Sequence, residues 1–248
     1  LEAYTSIVGI PESVKFVEVP SPFSEEQVLT IIIKDVTTKY ELRETEMYER
    51  MARLIAQIAI NTPGNTGVFA ASYEVQRGLL DGGLRNFLSK PLFIELQEMS
   101  SKDNDRMIQE FKTMGDKGGA MLLSVQGGRN SEGEDYPGSQ MDTVIVVGVP
   151  FAKPSIKLKA QIDYYDELFP GKGKLLAYLY PAIRKAAQAA GRPFRLLSDR
   201  GVIILMDSRF LWKEIRENMP SWIMKNAKIV SALSENKIIH MIRSFYKD

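Results

Sequence analysis

The chain has 248 residues, 44% hydrophobic and 25% charged, with a formal net charge of +1. Near-neutrality argues against a broad polyanion binder, which needs many lysine and arginine contacts, so any nucleic-acid contact must be focal. The absence of cysteine excludes disulfides and thiolate metal sites, and no run approaches the roughly 20 apolar residues of a membrane helix.

Residues 14–19 and 28–34 read as strands. From 42 to 60, Met47, Met51, Leu54, Ile55 and Ile58 recur at helical spacing, a stripe that packs a core rather than boxing a cofactor. Asn61-Thr-Pro-Gly-Asn65 ends that helix with strong breakers. Strands then recur at 67–71, 91–96, 119–125, 142–148 and 201–207, with helices between them at 73–80, 101–114, 154–168 and 174–190. Such alternation predicts an α/β fold, a mostly parallel sheet with helices on both faces. Residues 224–248 read as a short helical appendage, dividing the chain into 1–223 and 224–248; the lone His240 falls there and reads as a tail residue.

Two segments carry chemistry. The buried strand ending at Val125 opens into Gln126-Gly127-Gly128-Arg129-Asn130, then Ser131-Glu132-Gly133-Glu134-Asp135-Tyr136-Pro137-Gly138. Ligands of α/β sheets gather at such carboxyl edges, where glycine turns let backbone N–H groups approach a phosphate. On the residues alone, an acidic surface loop with turn glycines is the alternative. The second segment is Gln188-Ala-Ala-Gly191-Arg192-Pro193-Phe194-Arg195. Two guanidiniums three residues apart present rigid donor forks that match phosphate oxygens; the plain alternative is a solvated helix end with arginines at the negative pole of its dipole. The apolar stripe Leu175, Leu179, Ala182, Ile183, Ala186 and Ala190 leaves Arg184, Gln188 and Gly191 on another face. Pro193 disfavours helical geometry at Arg192, so the helix is expected to stop near Gly191, with both arginines projecting from its end.

Together these segments resemble motifs V and VI of the superfamily 2 helicases, and within them the XPD/DinG group of DNA helicases, XPD most of all. Other pieces follow in the family's order. Gly67-Val-Phe-Ala-Ala-Ser72-Tyr73 resembles motif IV, and Lys90-Pro-Leu-Phe-Ile-Glu95 the strand after it. Val147-Gly-Val-Pro-Phe151 with Pro154 resembles the strand and turn after motif V. Asp199-Arg-Gly201 through Arg209-Phe210 resembles the strand after motif VI, and Pro220-Ser-Trp222-Ile223 its end signal. The resemblance covers about residues 1–223. Two departures stand out: Gly127 lies where eukaryotic XPD-type members often carry a basic residue, and Pro193 where a small or aliphatic residue is usual.

The resemblance implies a RecA-like three-layer fold and the second motor domain of an ATP-dependent 5′-to-3′ DNA helicase of the kind used in nucleotide excision repair. Gly171-Lys-Gly-Lys174 is followed by Leu175 and does not follow a strand, so it reads as a cationic loop and not a Walker A phosphate cradle. Leu1-Glu-Ala-Tyr4 resembles the segment after the family's motif III, where the first motor domain ends. ATP and Mg2+ are then expected to sit mainly on the first motor domain of the same protein, and a 4Fe-4S cluster to belong to that domain. Arg192 and Arg195 are the implied arginine fingers, with Gln188 as a sensor of the γ-phosphate. Glu132, Gly133, Asp135 and Gly191 would line the nucleotide; Ser72, Tyr73, Gly128, Arg129 and Ser131 would line the path of single-stranded DNA. The implied location is intracellular: cytoplasmic in archaea or bacteria, nuclear in eukaryotes, where a TFIIH-like regulatory subunit is a further implied partner. The chain on its own is expected to be inactive. Two other readings remain at this stage: a RecA-like module kept for protein interaction, with surface helices 101–114 and 211–218 as its contacts, and the motor domain of an RNA helicase or translocase.

Overall fold

The computed structural model describes residues 5–247 apart from residues 7, 12, 16 and 18. The apolar runs form strands Val28–Ile33 (β1), Thr66–Ala70 (β2), Leu92–Ile94 (β3), Met121–Val125 (β4), Thr143–Val147 (β5) and Gly201–Met206 (β6). With Lys228–Val230 (β7) they make one sheet in the order β3-β4-β2-β5-β6-β1-β7, every pair parallel. Strands β2, β4, β5 and β6 are buried along their whole length, as a parallel sheet covered on both faces requires.

Register sorts the side chains. Val68 is level with Leu123 and Ile145, Ile145 with Ile204, and Ile204 with Ile31. That row packs against helices Thr45–Ile60 (α1), Tyr73–Asp81 (α2) and, near the carboxyl end, Glu235–Lys247. The next row, Phe69, Val146, Leu205 and Ile32, faces the other layer, which holds Ile108 and Phe111 of Ser101–Lys112 (α3). Helix Ile156–Leu168 (α4) lies mostly exposed; Tyr180–Ala190 (α5) buries Ala182, Ile183 and Ala186 in that same layer, and Glu235–Lys247 is α6. This is the RecA-like α/β sandwich that the strand–helix alternation and the motifs point to.

The strand order also sets where a crevice opens. The chain leaves β2 toward β3 and β4 on one side and leaves β5 toward β6 on the other, so strand order reverses between neighbours β2 and β5. A crevice opens at the carboxyl ends of such a pair.

Three sequence expectations need correction. Of 14–19, residues 16 and 18 lie outside the described residues, and Val14, Lys15, Val17 and Val19 form no strand; Val17 and Val19 are 83% and 79% exposed, so their alternation buries nothing. Residues 224–248 are not wholly helical, because β7 adds an edge strand to β1 before α6 packs Ile238 and Ile242 into the core. Helix 174–190 is also not uniform: Leu175–Leu179 is a π-turn that leads into α5. Pro181 has no N–H for the carbonyl of Ala177, which removes the α-type bond at that point. Leu1 to Tyr4 lie outside the described residues.

Candidate functional site

Helix α5 stops where Pro193 says it should, with Gly191 as its C-cap. Arg192, however, does not project. It is 5% exposed, its Nε donates to the Ser131 carbonyl at 2.7 Å, and its Nη1 donates to the Glu134 carbonyl. The projecting pose expected for Arg192 is thus corrected: carbonyls of the Ser131–Glu134 loop, left without strand partners, draw the guanidinium inward. Burial first, then the neighbouring Arg195 charge, pulls its pKa below the usual arginine value.

Arg195 stays at the surface. Its Nε lies 2.5 Å from Asp135 Oδ1, with the two side chains 31% and 75% exposed. An ion pair this open contributes about 0–1 kcal/mol, so a better anion can exchange for it. Gln188, Glu132 and Gly133 are exposed and Gly191 is half-buried. The two motif segments are therefore joined through Arg192 and Arg195, although Ser131 and Arg192 lie 61 positions apart.

The proposed strand path divides. The Ser72 hydroxyl caps α2, accepting from Val75 N at 3.3 Å. Arg129 is exposed, and its guanidinium donates to Met99 O and Ser101 Oγ at 2.8 and 2.9 Å. Gly128 is half-buried beside them. Ser131 is corrected as a surface contact: it is fully buried and its hydroxyl donates to Gly128 O. Gly127 has φ +74°, and a Cβ there would meet Cδ and Cε of Lys185 at 3.0 Å. Lys185 covers that turn from α5, and the left-handed backbone there favours glycine.

Beneath the turn lies Glu95, 2% exposed, at the end of β3. It accepts from Ser124 Oγ, from Asn130 Nδ2 at 3.0 Å and from Tyr73 Oη at 3.2 Å. Burial, then Glu95, pushes the Tyr73 hydroxyl pKa up and keeps it a donor. One carboxyl group thus ties the start of α2 to the Ser131 loop. Glu95→Ala is expected to cost about 2–3 kcal/mol by stranding three donors, with Glu95→Gln losing less because one acceptor remains. Chemical denaturation of both variants measures this, and equal losses would count against the network.

Sequence reasoning missed a cleft of about 720 Å3 at the β2/β5 reversal, lined by Ala71, Ser72, Val149 and Pro150 among others. Phe151 stacks on Tyr178 with ring centroids 4.7 Å apart and planes 11° apart, and on Trp212 at 6.4 Å and 23°. Tyr178 is delivered by the π-turn, a feature frequent at functional sites. Gly148 at φ +83° lets Thr38 come close: a Cβ there would lie 2.2 Å from its Oγ1. Lys39, Arg43 and Lys153 supply positive charge around the rings. The signal in the sequence was an aromatic residue just past three strands: Tyr40 after β1, Phe151 after β5 and Trp212 after β6.

Fold and site define a RecA-like lobe whose glycine-turn loop is clasped by an arginine at a helix end. The chain belongs to the helicase C-terminal domain family, whose model matches residues 55–226. It is similar to the general transcription and DNA repair factor IIH helicase subunit XPD of Arabidopsis thaliana, 28% identical over 223 residues, covering 86% of this chain and 29% of that protein. It is also similar to the ATP-dependent DNA helicase chl1 of Schizosaccharomyces pombe, 32% identical over 175 residues, covering 66% of this chain and 20% of that protein. A solved apo XPD structure shares the fold with a TM-score of 0.66 at 24% identity, covering 83% of this chain and 40% of its own. The chain spans less than a third of the length of these two curated relatives.

The chain has a single histidine. It has no cysteine, and among the described residues no group of three or more His, Cys, Asp or Glu could hold a metal ion. Among the described residues no helix is long and apolar enough to cross a membrane.

Proposed function

We propose that the chain is the second motor lobe of an ATP-dependent 5′-to-3′ DNA helicase of the XPD type. One observation carries this reading: the Arg192 bonds to Ser131 O and Glu134 O join the two motif segments into one face, with Arg195 outward beside them. In this reading Arg192 is a positioning residue and Arg195 the cation that reaches the γ-phosphate of ATP held on the first lobe. Gln188 donates to the same phosphate, and Glu132, Gly133, Asp135 and Gly191 form the rim that closes over it. Cleft closure moves the Ser131 loop, and through Asn130 and Glu95 the start of α2 moves with it. Turnover needs the first lobe, because these 248 residues contain no Walker A loop.

Single-stranded DNA is the partner of the aromatic cleft. Bases stack on the Trp212–Phe151–Tyr178 rings while Lys39, Arg43 and Lys153 meet the phosphates, and Ser72, Tyr73, Gly128 and Arg129 border the continuing path. Each base stacked on an aromatic side chain contributes about 1–3 kcal/mol. Trp212→Ala is therefore expected to weaken binding of a labelled oligothymidine by about tenfold, read by fluorescence anisotropy. Unwinding assays with DNA or RNA loading strands test the motor itself: the DNA-loaded duplex should open, and opening confined to RNA-loaded duplexes would sink the DNA assignment.

A further inference from the structure

Two of the cations at the mouth of the aromatic cleft, Arg43 and Lys153, are bridged by one carboxylate. Glu74, in the first turn of α2, places Oε1 2.6 Å from Lys153 Nζ and Oε2 3.0 Å from Arg43 Nη1. Arg43 is also held by Thr38 O, 2.9 Å from its Nε, and its guanidinium lies 5.5 Å from the Tyr40 ring centre. The three residues follow three different strands, β1, β2 and β5, so this bridge spans the crevice. Each carboxylate oxygen takes one cation, the arrangement that the two non-bridging oxygens of a phosphodiester would adopt on the same pair. Hydrogen bonds from Lys153, then Arg43, hold the Glu74 carboxyl below the usual carboxylate range, so it is charged at neutral pH. It is also half exposed, at 52%; Lys153 is 80% exposed, so that half of the bridge is weak enough to exchange, while Arg43, 24% exposed, is the better-held cation.

We propose that Glu74 is an anionic latch that occupies the phosphate position of the cleft and is displaced by the backbone of an incoming single strand. This rests on the reading of the cleft as a strand-binding site. A strand gains Arg43 and Lys153 only by giving Glu74 to water, so the latch lowers resting affinity and eases release, as a stepping motor requires. The sequence places an acid next to the candidate path residues Ser72 and Tyr73, where a site optimised for tight binding of a polyanion would not have one.

The test is binding of a labelled oligothymidine to the protein by fluorescence anisotropy across a salt series. Four single variants are compared: Glu74→Gln, Lys153→Ala, Trp212→Ala and Glu235→Gln, the last a charge control on α6. Freeing the cation pair for one more phosphate is expected to tighten binding by about fivefold and to steepen the slope of log K against log salt by roughly 0.7. Glu235→Gln should do neither. If Glu74→Gln binds no more tightly than Glu235→Gln while Lys153→Ala and Trp212→Ala both weaken binding, the latch is overturned and the cleft stands. If Lys153→Ala and Trp212→Ala leave affinity unchanged, the cleft and the latch fall together.

Discussion

Arg195→Ala is expected to lower DNA-stimulated ATP turnover by about 10³-fold or more, with the fold and strand affinity unchanged. The reason is the contrast between two arginines three residues apart. Arg192 is 5% exposed and its Nε and Nη1 donate to backbone carbonyls. Arg195 keeps 31% of its side chain in solvent; an exposed Asp135 is its ion-pair partner, and its Nη1 donates only within its own segment, to the Phe194 and Gly191 carbonyls at 3.0 and 3.4 Å. A fingertip must leave its resting partner without loosening the fold, and an open pair worth about 0–1 kcal/mol permits that. Transition-state charge in phosphoryl transfer makes such a cation worth about 10³–10⁵ in rate in related systems. Arg195→Lys should not rescue, since an ammonium lacks the planar donor fork. Steady-state turnover in the protein with its first lobe, beside a melting curve of each variant, decides the matter. Full activity of Arg195→Ala would remove the residue from the chemistry.

The contrast also shows where sequence reading stops. The strands were legible because β2, β4, β5 and β6 are buried on both faces and so appear as unbroken apolar runs. Helix α1 was legible from its stripe, and the end of α5 from Pro193. Strand β7 was not: it has three residues, two of them exposed, and gains its identity from pairing with β1. Whether Arg192 points outward or folds back depends on carbonyls about 60 positions earlier, which no local spacing encodes. The cleft escaped for the same reason. Its rings and cations come from loops after three different strands and from the π-turn that delivers Tyr178, and only the fold brings those segments together. Local pattern thus identified the elements and the two motifs. It could not say which guanidinium is buried and which stays at the surface, because that is decided by which buried acceptors compete for it.

That competition is most severe at Asp207, where the second large effect is expected: Asp207→Ala should destabilise the protein by about 3–5 kcal/mol. Asp207 is fully buried at the end of β6 and its carboxylate is saturated. Oδ1 accepts from Thr37 Oγ1 at 3.2 Å and from Arg209 N and Nε at 2.9 and 2.8 Å. Oδ2 accepts from Thr38 N and Oγ1 at 2.7 and 3.1 Å and from Arg209 Nη2 at 2.7 Å. Removing it leaves a guanidinium 9% exposed without its counterion and unties the loop after β1. Domains are stable by only about 5–15 kcal/mol, so the loss is a large share of the total. The damage should reach the cleft as well, since Arg209 lies 5.6 Å from the Phe151 ring centre and Thr38 packs against Gly148. Asp207→Asn keeps the shape and some acceptors, so it should fall between wild type and alanine. Denaturant unfolding gives the stability change, and oligothymidine binding under conditions where both variants remain folded gives the effect on the cleft. A loss below about 1 kcal/mol for alanine would mean that Arg209 finds water or another acceptor, contrary to the cost expected for an unpaired buried charge.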